Sequence, residues 1–239
     1  MIRLIPSDER FRMKQDWIDA RWHFSFGHYH DPSNIRFGPL RVFNDDTIQP
    51  ASGFPQHPHD NMEIITIVLE GQLQHTDSIG NTGLIHPNEV QVMSAGSGIK
   101  HSEFNASADQ PLRLMQLWVM PRNKNQQPAY AQQQFDPQAQ ENKWLPLVSS
   151  GSVKNGGEIS GTLGIDQDAS IHRARLTESG ELTWQSTKGR RTYIFVIDGQ
   201  AQLNNQPLHK GDQARIEDEP NLTFNANNTN ADLLLIDLP

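Results

Sequence analysis

The segment Val68-Leu-Glu-Gly-Gln-Leu-Gln74 returns 128 residues later as Val196-Ile-Asp-Gly-Gln-Ala-Gln202. Downstream of each copy an acidic turn feeds a strand, Asn88-Glu-Val-Gln-Val-Met93 in the first half and Gly211-Asp-Gln-Ala-Arg-Ile216 in the second. Each half then closes on an apolar run, Leu112-Arg-Leu-Met-Gln-Leu-Trp-Val-Met120 and Ala231-Asp-Leu-Leu-Leu-Ile-Asp-Leu238. A series of matches in the same order is the mark of a duplicated unit, so the 239 residues divide between two copies of one fold.

The unit is built of strands. Helical periodicity is missing, while short runs bounded by Gly, Pro, Asn and Asp recur at close spacing, the pattern of a sandwich or barrel. Strands are predicted over 40–43, 63–69, 72–74, 90–94, 113–120, 163–176, 191–197, 200–204 and 233–238. Between them, 121–140 is rich in Gln, Asn and Pro with almost no apolar content, as expected of a connector. The expected domains are therefore 1–125 and 126–239.

Composition removes several functions. Twenty basic against 28 acidic side chains leave a net charge of −8, unsuited to a phosphate backbone, so no direct nucleic-acid ligand is expected. Without a single Cys, thiol nucleophiles, thiolate zinc sites and iron–sulfur clusters are excluded, and any metal must sit on His and carboxylates. No run of about 20 apolar residues is present to span a membrane. The opening Met1-Ile-Arg-Leu-Ile-Pro-Ser-Asp-Glu-Arg10 is charged from its third residue, unlike a secretory signal, so the cytoplasm is the expected location.

Two short patterns carry chemistry. In an extended strand the side chains at i and i+2 share a face, so His57-Pro-His59 can aim two imidazoles at one point, and His101-Ser-Glu103 an imidazole and a carboxylate. Facing each other across neighbouring strands, the pairs offer three nitrogens and one oxygen to a divalent first-row metal. Neither pair alone would carry the argument, because a single His-x-His is commonly a surface feature.

At this point the chain resembles the pirin family of the cupin superfamily. The resemblance lies in Trp22-His-Phe-Ser-Phe-Gly-His-Tyr-His-Asp-Pro32, Leu40-Arg-Val-Phe-Asn-Asp-Asp46, His57-Pro-His-Asp-Asn-Met-Glu63 and Met93-Ser-Ala-Gly-Ser-Gly-Ile-Lys-His-Ser-Glu103. It covers most of the first half; the second half is similar only to a general cupin pattern. The resemblance implies a bicupin, two β-barrels in tandem, with the family's four metal ligands at His57, His59, His101 and Glu103. Glu63, at the general cupin glutamate position, is expected to support the site or the fold rather than to ligate. The repeat offset carries His57, His59 and Glu63 onto Gln185, Thr187 and Arg191, so the second barrel is expected to be a metal-free copy.

Three imidazoles and a carboxylate leave two positions of an octahedron open, as oxygen chemistry requires. Fe(II) is the first expectation, with Ni, Mn, Cu and Zn also compatible with the donor set. The resemblance further implies a quercetin 2,3-dioxygenase-like reaction, O2-dependent ring opening of a flavonol, in which Glu103 doubles as the base for the 3-hydroxyl. The expected partners are thus a small aromatic substrate and O2, with Phe54, Met93 and Phe104 as candidate substrate contacts. The competing reading, also suggested by pirins, is a metal- or redox-responsive interaction protein without catalysis. A monomer is expected.

The remaining histidines carry less. His23, His28 and His30 lie in an aromatic segment and are expected to pack; His75, His86, His172 and His209 are taken as structural or exposed. Trp118 and Met120 are expected to pack in the core.

Overall fold

A computed structural model describes residues 1–226 and 229–239. The first strands are β1 (Ile2–Ile5), β2 (Phe11–Gln15), β3 (Ile18–Trp22), β4 (Leu40–Ile48), β5 (Gly53–His59), β6 (Glu63–Glu70) and β7 (Leu73–Asp77). They continue with β8 (Thr82–Ile85), β9 (Glu89–Ser94), β10 (Ile99–Asn105), β11 (Leu112–Val119), β12 (Ala129–Gln134), β13 (Leu145–Ser152), β14 (Gly156–Gly157) and β15 (Leu163–Ile165). The last are β16 (Ser170–Leu176), β17 (Glu181–Gln185), β18 (Arg191–Leu203), β19 (Gln206–His209), β20 (Gln213–Glu217), β21 (Asn221–Asn225) and β22 (Ala231–Leu238). Helical structure among the described residues is limited to two 3-10 turns, Ser7–Glu9 and Pro137–Gln140. Among the described residues no helix is long and apolar enough to cross a membrane. The all-β expectation holds.

Contacts group the chain into two units, one of 11–135 with 150–167 and one of 1–10, 136–149 and 168–239. This differs from a single cut after residue 125, for two reasons. The expected connector 121–140 contains β12, which pairs antiparallel with β9 from Ala129 opposite Ser94 to Gln134 opposite Glu89. As an edge strand with several half-exposed positions it needs little apolar content, which is why its composition reads as a linker. The first ten residues, for their part, join the second unit, where β1 pairs with β20 from Ile2 opposite Ile216 to Ile5 opposite Gln213.

In the first unit a seven-stranded sheet, β12-β9-β6-β11-β4-β3-β2, accompanies a four-stranded sheet, β5-β10-β7-β8. Their inner faces pack together, with Val68, Leu112 and Leu114 from the larger sheet in one cluster with Leu73 and Ile85 from the smaller. The second unit repeats the plan around Ile194, Val196, Leu203, Phe224, Leu233 and Leu235, all buried, with Trp144 and Trp184 packed at its margin. The predicted strand 163–176 is two strands here, β15 and β16, and 191–204 is one continuous β18 with a register shift between Val196 and Asp198.

The repeat has a physical counterpart in Gly71 and Gly199, at φ 78° and 72°. A Cβ on Gly71 would come within 2.6 Å of the Pro111 carbonyl oxygen, and one on Gly199 within 1.9 Å of the Asn230 carbonyl oxygen. Each glycine thus admits the backbone just ahead of its unit's last long strand, in a left-handed conformation costly for any other residue.

Candidate metal centre

The centre is made by β5, β10 and β7. β5 is the outer strand of its sheet, and that is where Pro55 and Pro58 can be tolerated, since proline has no N–H to give a second neighbour. The β5–β10 ladder sets His101 opposite His57, then shifts register before Glu103, which stands opposite Phe54. A bulge of this kind re-aims side chains. On the other side of β10, Asp77 is opposite His101 and His75 is opposite Glu103.

Three of the four expected ligands converge. Ring centroids of His57 and His101 lie 4.5 Å apart, and His59 is 4.8 Å from each of them. The Nε2 atoms of His57 and His101 are 3.0 Å apart. With metal–nitrogen bonds of about 2.1 Å, a right angle at an ion separates two nitrogens by about 3.0 Å, whereas a tetrahedral angle needs about 3.4 Å. The spacing therefore suits adjacent positions of an octahedron. His57 Nδ1 meets the Pro55 carbonyl at 2.8 Å, so it donates there and leaves its Nε2 lone pair free.

Electrostatics keep the donors available. Burial, reinforced by the neighbouring His101 and His57, lowers His59 to about 4, although Glu103 and Asp60 pull the other way. Burial, His57 and His75 lower His101 to about 3 against the opposing charge of Asp77. Both rings are neutral near pH 7 and can offer lone pairs to a cation.

Glu103 falls in a second group, with His75 and His101, whose ligand atoms lie within 4.8 Å of one another. Its two carboxylate oxygens accept from Gln116 Nε2 at 3.1 and 2.9 Å, and Gln116 Oε1 accepts from Trp118 Nε1 at 3.1 Å. Trp118 therefore does more than pack. Its indole starts a chain of hydrogen bonds that fixes Glu103, and its ring lies 4.8 Å from His59. His75, read from the sequence as structural or exposed, is fully buried within 5.3 Å of the His101 ring. Its signal was present: His75-Thr-Asp77 is another i,i+2 pair, but its place is set by non-local pairing with β10.

The candidate substrate contacts divide. Met93 is buried with Ile64, Ala95 and Ile99, and Trp118 packs on that cluster. Phe54 is half-buried, 6.3 Å from the His57 ring. Phe104 is a correction. It is 36% exposed, because it alternates with His101 and Glu103 and so faces away from them. Glu63 lies outside both ligand groups: its carboxylate accepts from the Ser94 hydroxyl at 2.7 Å, beside a cavity of about 310 Å³ also lined by Lys154 and Asp166. His23 packs as expected, stacked on Phe43 at 4.2 Å.

Comparison with known proteins follows the same lines. The family model Pirin matches residues 6–119, and that of the quercetinase C-terminal cupin domain matches residues 133–238. A protein of Escherichia coli K12 named quercetin 2,3-dioxygenase is 38% identical over 240 residues, covering 100% of this chain and 99% of the relative. A pirin-like protein of Caulobacter vibrioides is 37% identical, covering 99% of both. The crystal structure of YhhW from Escherichia coli superposes with a TM-score of 0.93 at 37% identity, covering 100% of this chain and 98% of that one. The bacterial pirin YhhW in complex with nickel(II) gives a TM-score of 0.92 at 36% identity, covering 100% and 99%.

Proposed function

The chain belongs to the pirin family, and from that premise we propose that it is a metal-dependent dioxygenase that opens the heterocycle of a flavonol such as quercetin. The observation that carries the reading is the imidazole triangle of His57, His59 and His101, two of whose Nε2 atoms stand at an octahedral spacing of 3.0 Å. These three residues would hold a single divalent ion, with Glu103 as the fourth ligand. Fe(II) is our assignment; nickel(II) is the ion in the YhhW complex. When bound, such an ion supplies open coordination positions and the redox activity on which O2 chemistry depends.

The protein's own groups do the rest. Glu103 accepts the proton of the flavonol 3-hydroxyl, which makes the substrate electron-rich, and Gln116 holds that carboxylate in place through both oxygens. Trp118, Met93 and Phe54 give the surroundings of the imidazoles an apolar and aromatic character suited to a flat substrate. Oxygen uptake with quercetin, measured on protein of known metal content, tests the proposal. Uptake should scale with occupancy and be accompanied by carbon monoxide; fully loaded protein that consumes no O2 would overturn it.

A further inference from the structure

We propose that the first unit has a second, inner seat for the same ion, formed by His75, His101 and Glu103. This rests on the metal-centre reading above but concerns residues beyond its ligand set. The three ligand atoms lie within 4.8 Å of one another. Their residues are 0%, 1% and 2% exposed, whereas His57 and His59 are half-buried. Register builds the group: Glu103 and His75 are directly opposed across β10 and β7, and His101 is two residues from Glu103 on the same face.

His101 belongs to both groups. Its Nε2 faces His57, while its Nδ1 is buried without a hydrogen-bond partner among the described residues. An imidazole that ligates a metal ordinarily gives its second nitrogen to an acceptor, so this vacancy is unusual. His75, by contrast, has partners for both nitrogens, but the contacts are long. Its nitrogens lie 3.4 Å from Asp77 Oδ2 and 3.5 Å from Gln91 Nε2, both beyond the usual hydrogen-bond range of about 2.7–3.2 Å. Tyr130 stacks on the ring at 4.9 Å. Asp77 is held in place by Asn81 Nδ2 at 2.8 Å and by the Asn81 and Ile79 N–H groups at 3.0 Å. It is a carboxylate placed behind an imidazole, the arrangement that strengthens histidine ligands.

Because both seats require His101 and the same Glu103 carboxylate, they share one ion. Moving inward, the ion exchanges His57 and His59 for His75 and leaves the half-exposed end of the group for a buried one. The test is Co(II) binding followed by elemental analysis and the visible spectrum, with folding checked by circular dichroism. Wild-type protein should take one equivalent. The double variant His57→Ala/His59→Ala, which removes the outer seat, should still take about one equivalent, with an altered spectrum. Adding His75→Ala, or the longer polar His75→Gln, should weaken binding at least about tenfold. A folded double variant that binds no Co(II), or triple variants that bind as tightly as the double, would overturn the inner seat alone; wild-type protein that binds none would overturn the metal centre itself.

Discussion

Replacing Glu63 by Gln should stabilise the protein, and the gain should grow with pH. Burial, with the charge of Asp166, raises the Glu63 carboxyl from 4.5 to about 7, despite hydrogen bonds from the Ser94 hydroxyl and the Asp166 N–H. Below about pH 4.5 the group is protonated in folded and unfolded chains alike. Between that value and about 7 the folded protein retains a proton that the unfolded chain has released, so stability falls as pH rises. At about 1.36 kcal/mol per pH unit the gap corresponds to roughly 3 kcal/mol, lost in full above pH 7. Gln keeps the position neutral throughout, while the histidines that also titrate in this range are common to both proteins and cancel. Urea unfolding of Glu63→Gln and wild type from pH 4.5 to 8 should therefore give two diverging curves, the variant gaining roughly 3 kcal/mol across the window. A constant offset between them would refute the reasoning, because the carboxylate would then be ionised in the fold at no cost.

Gln116→Leu removes the donor to Glu103 and the acceptor for Trp118, and should lower kcat by about 10–100-fold with metal content unchanged, as read by oxygen uptake and elemental analysis. Phe224→Ala empties a fully buried position in the second unit and should cost about 3–5 kcal/mol in denaturant unfolding; a loss below about 1 kcal/mol would contradict its place in the core. Removal of the ion by a chelator, starting from about 1,000 times Kd, should cost about 4 kcal/mol and lower the melting temperature, whereas an unchanged melting curve would mean that the folded protein holds no ion.

Much of the fold was legible because its signals are local. Strand alternation and the turns at Gly71 and Gly199 mark two all-β copies without reference to distant residues. The i,i+2 spacing likewise brings out His57, His59, His101 and Glu103. What the sequence hid depends on pairing between distant segments. β1 joins the second unit through β20, and β12 is held by β9 although its Gln-rich composition resembles a linker. His75 and Gln116 acquire their roles only when β7 and β11 are set beside their partners, which puts them near a carboxylate distant in sequence. Phe104 is different: nearness to Glu103 suggested a substrate contact, but strand alternation places adjacent residues on opposite faces.

Anomalous diffraction from crystals of the metal-loaded protein tests the central claim most directly. It should show one strong peak in the first unit, within about 2.0–2.2 Å of imidazole nitrogens of His57, His59 and His101, with a Glu103 oxygen completing the set. A fully loaded protein whose ion lies outside reach of those imidazoles, or crystals without a peak there after soaking with iron or nickel, would contradict it.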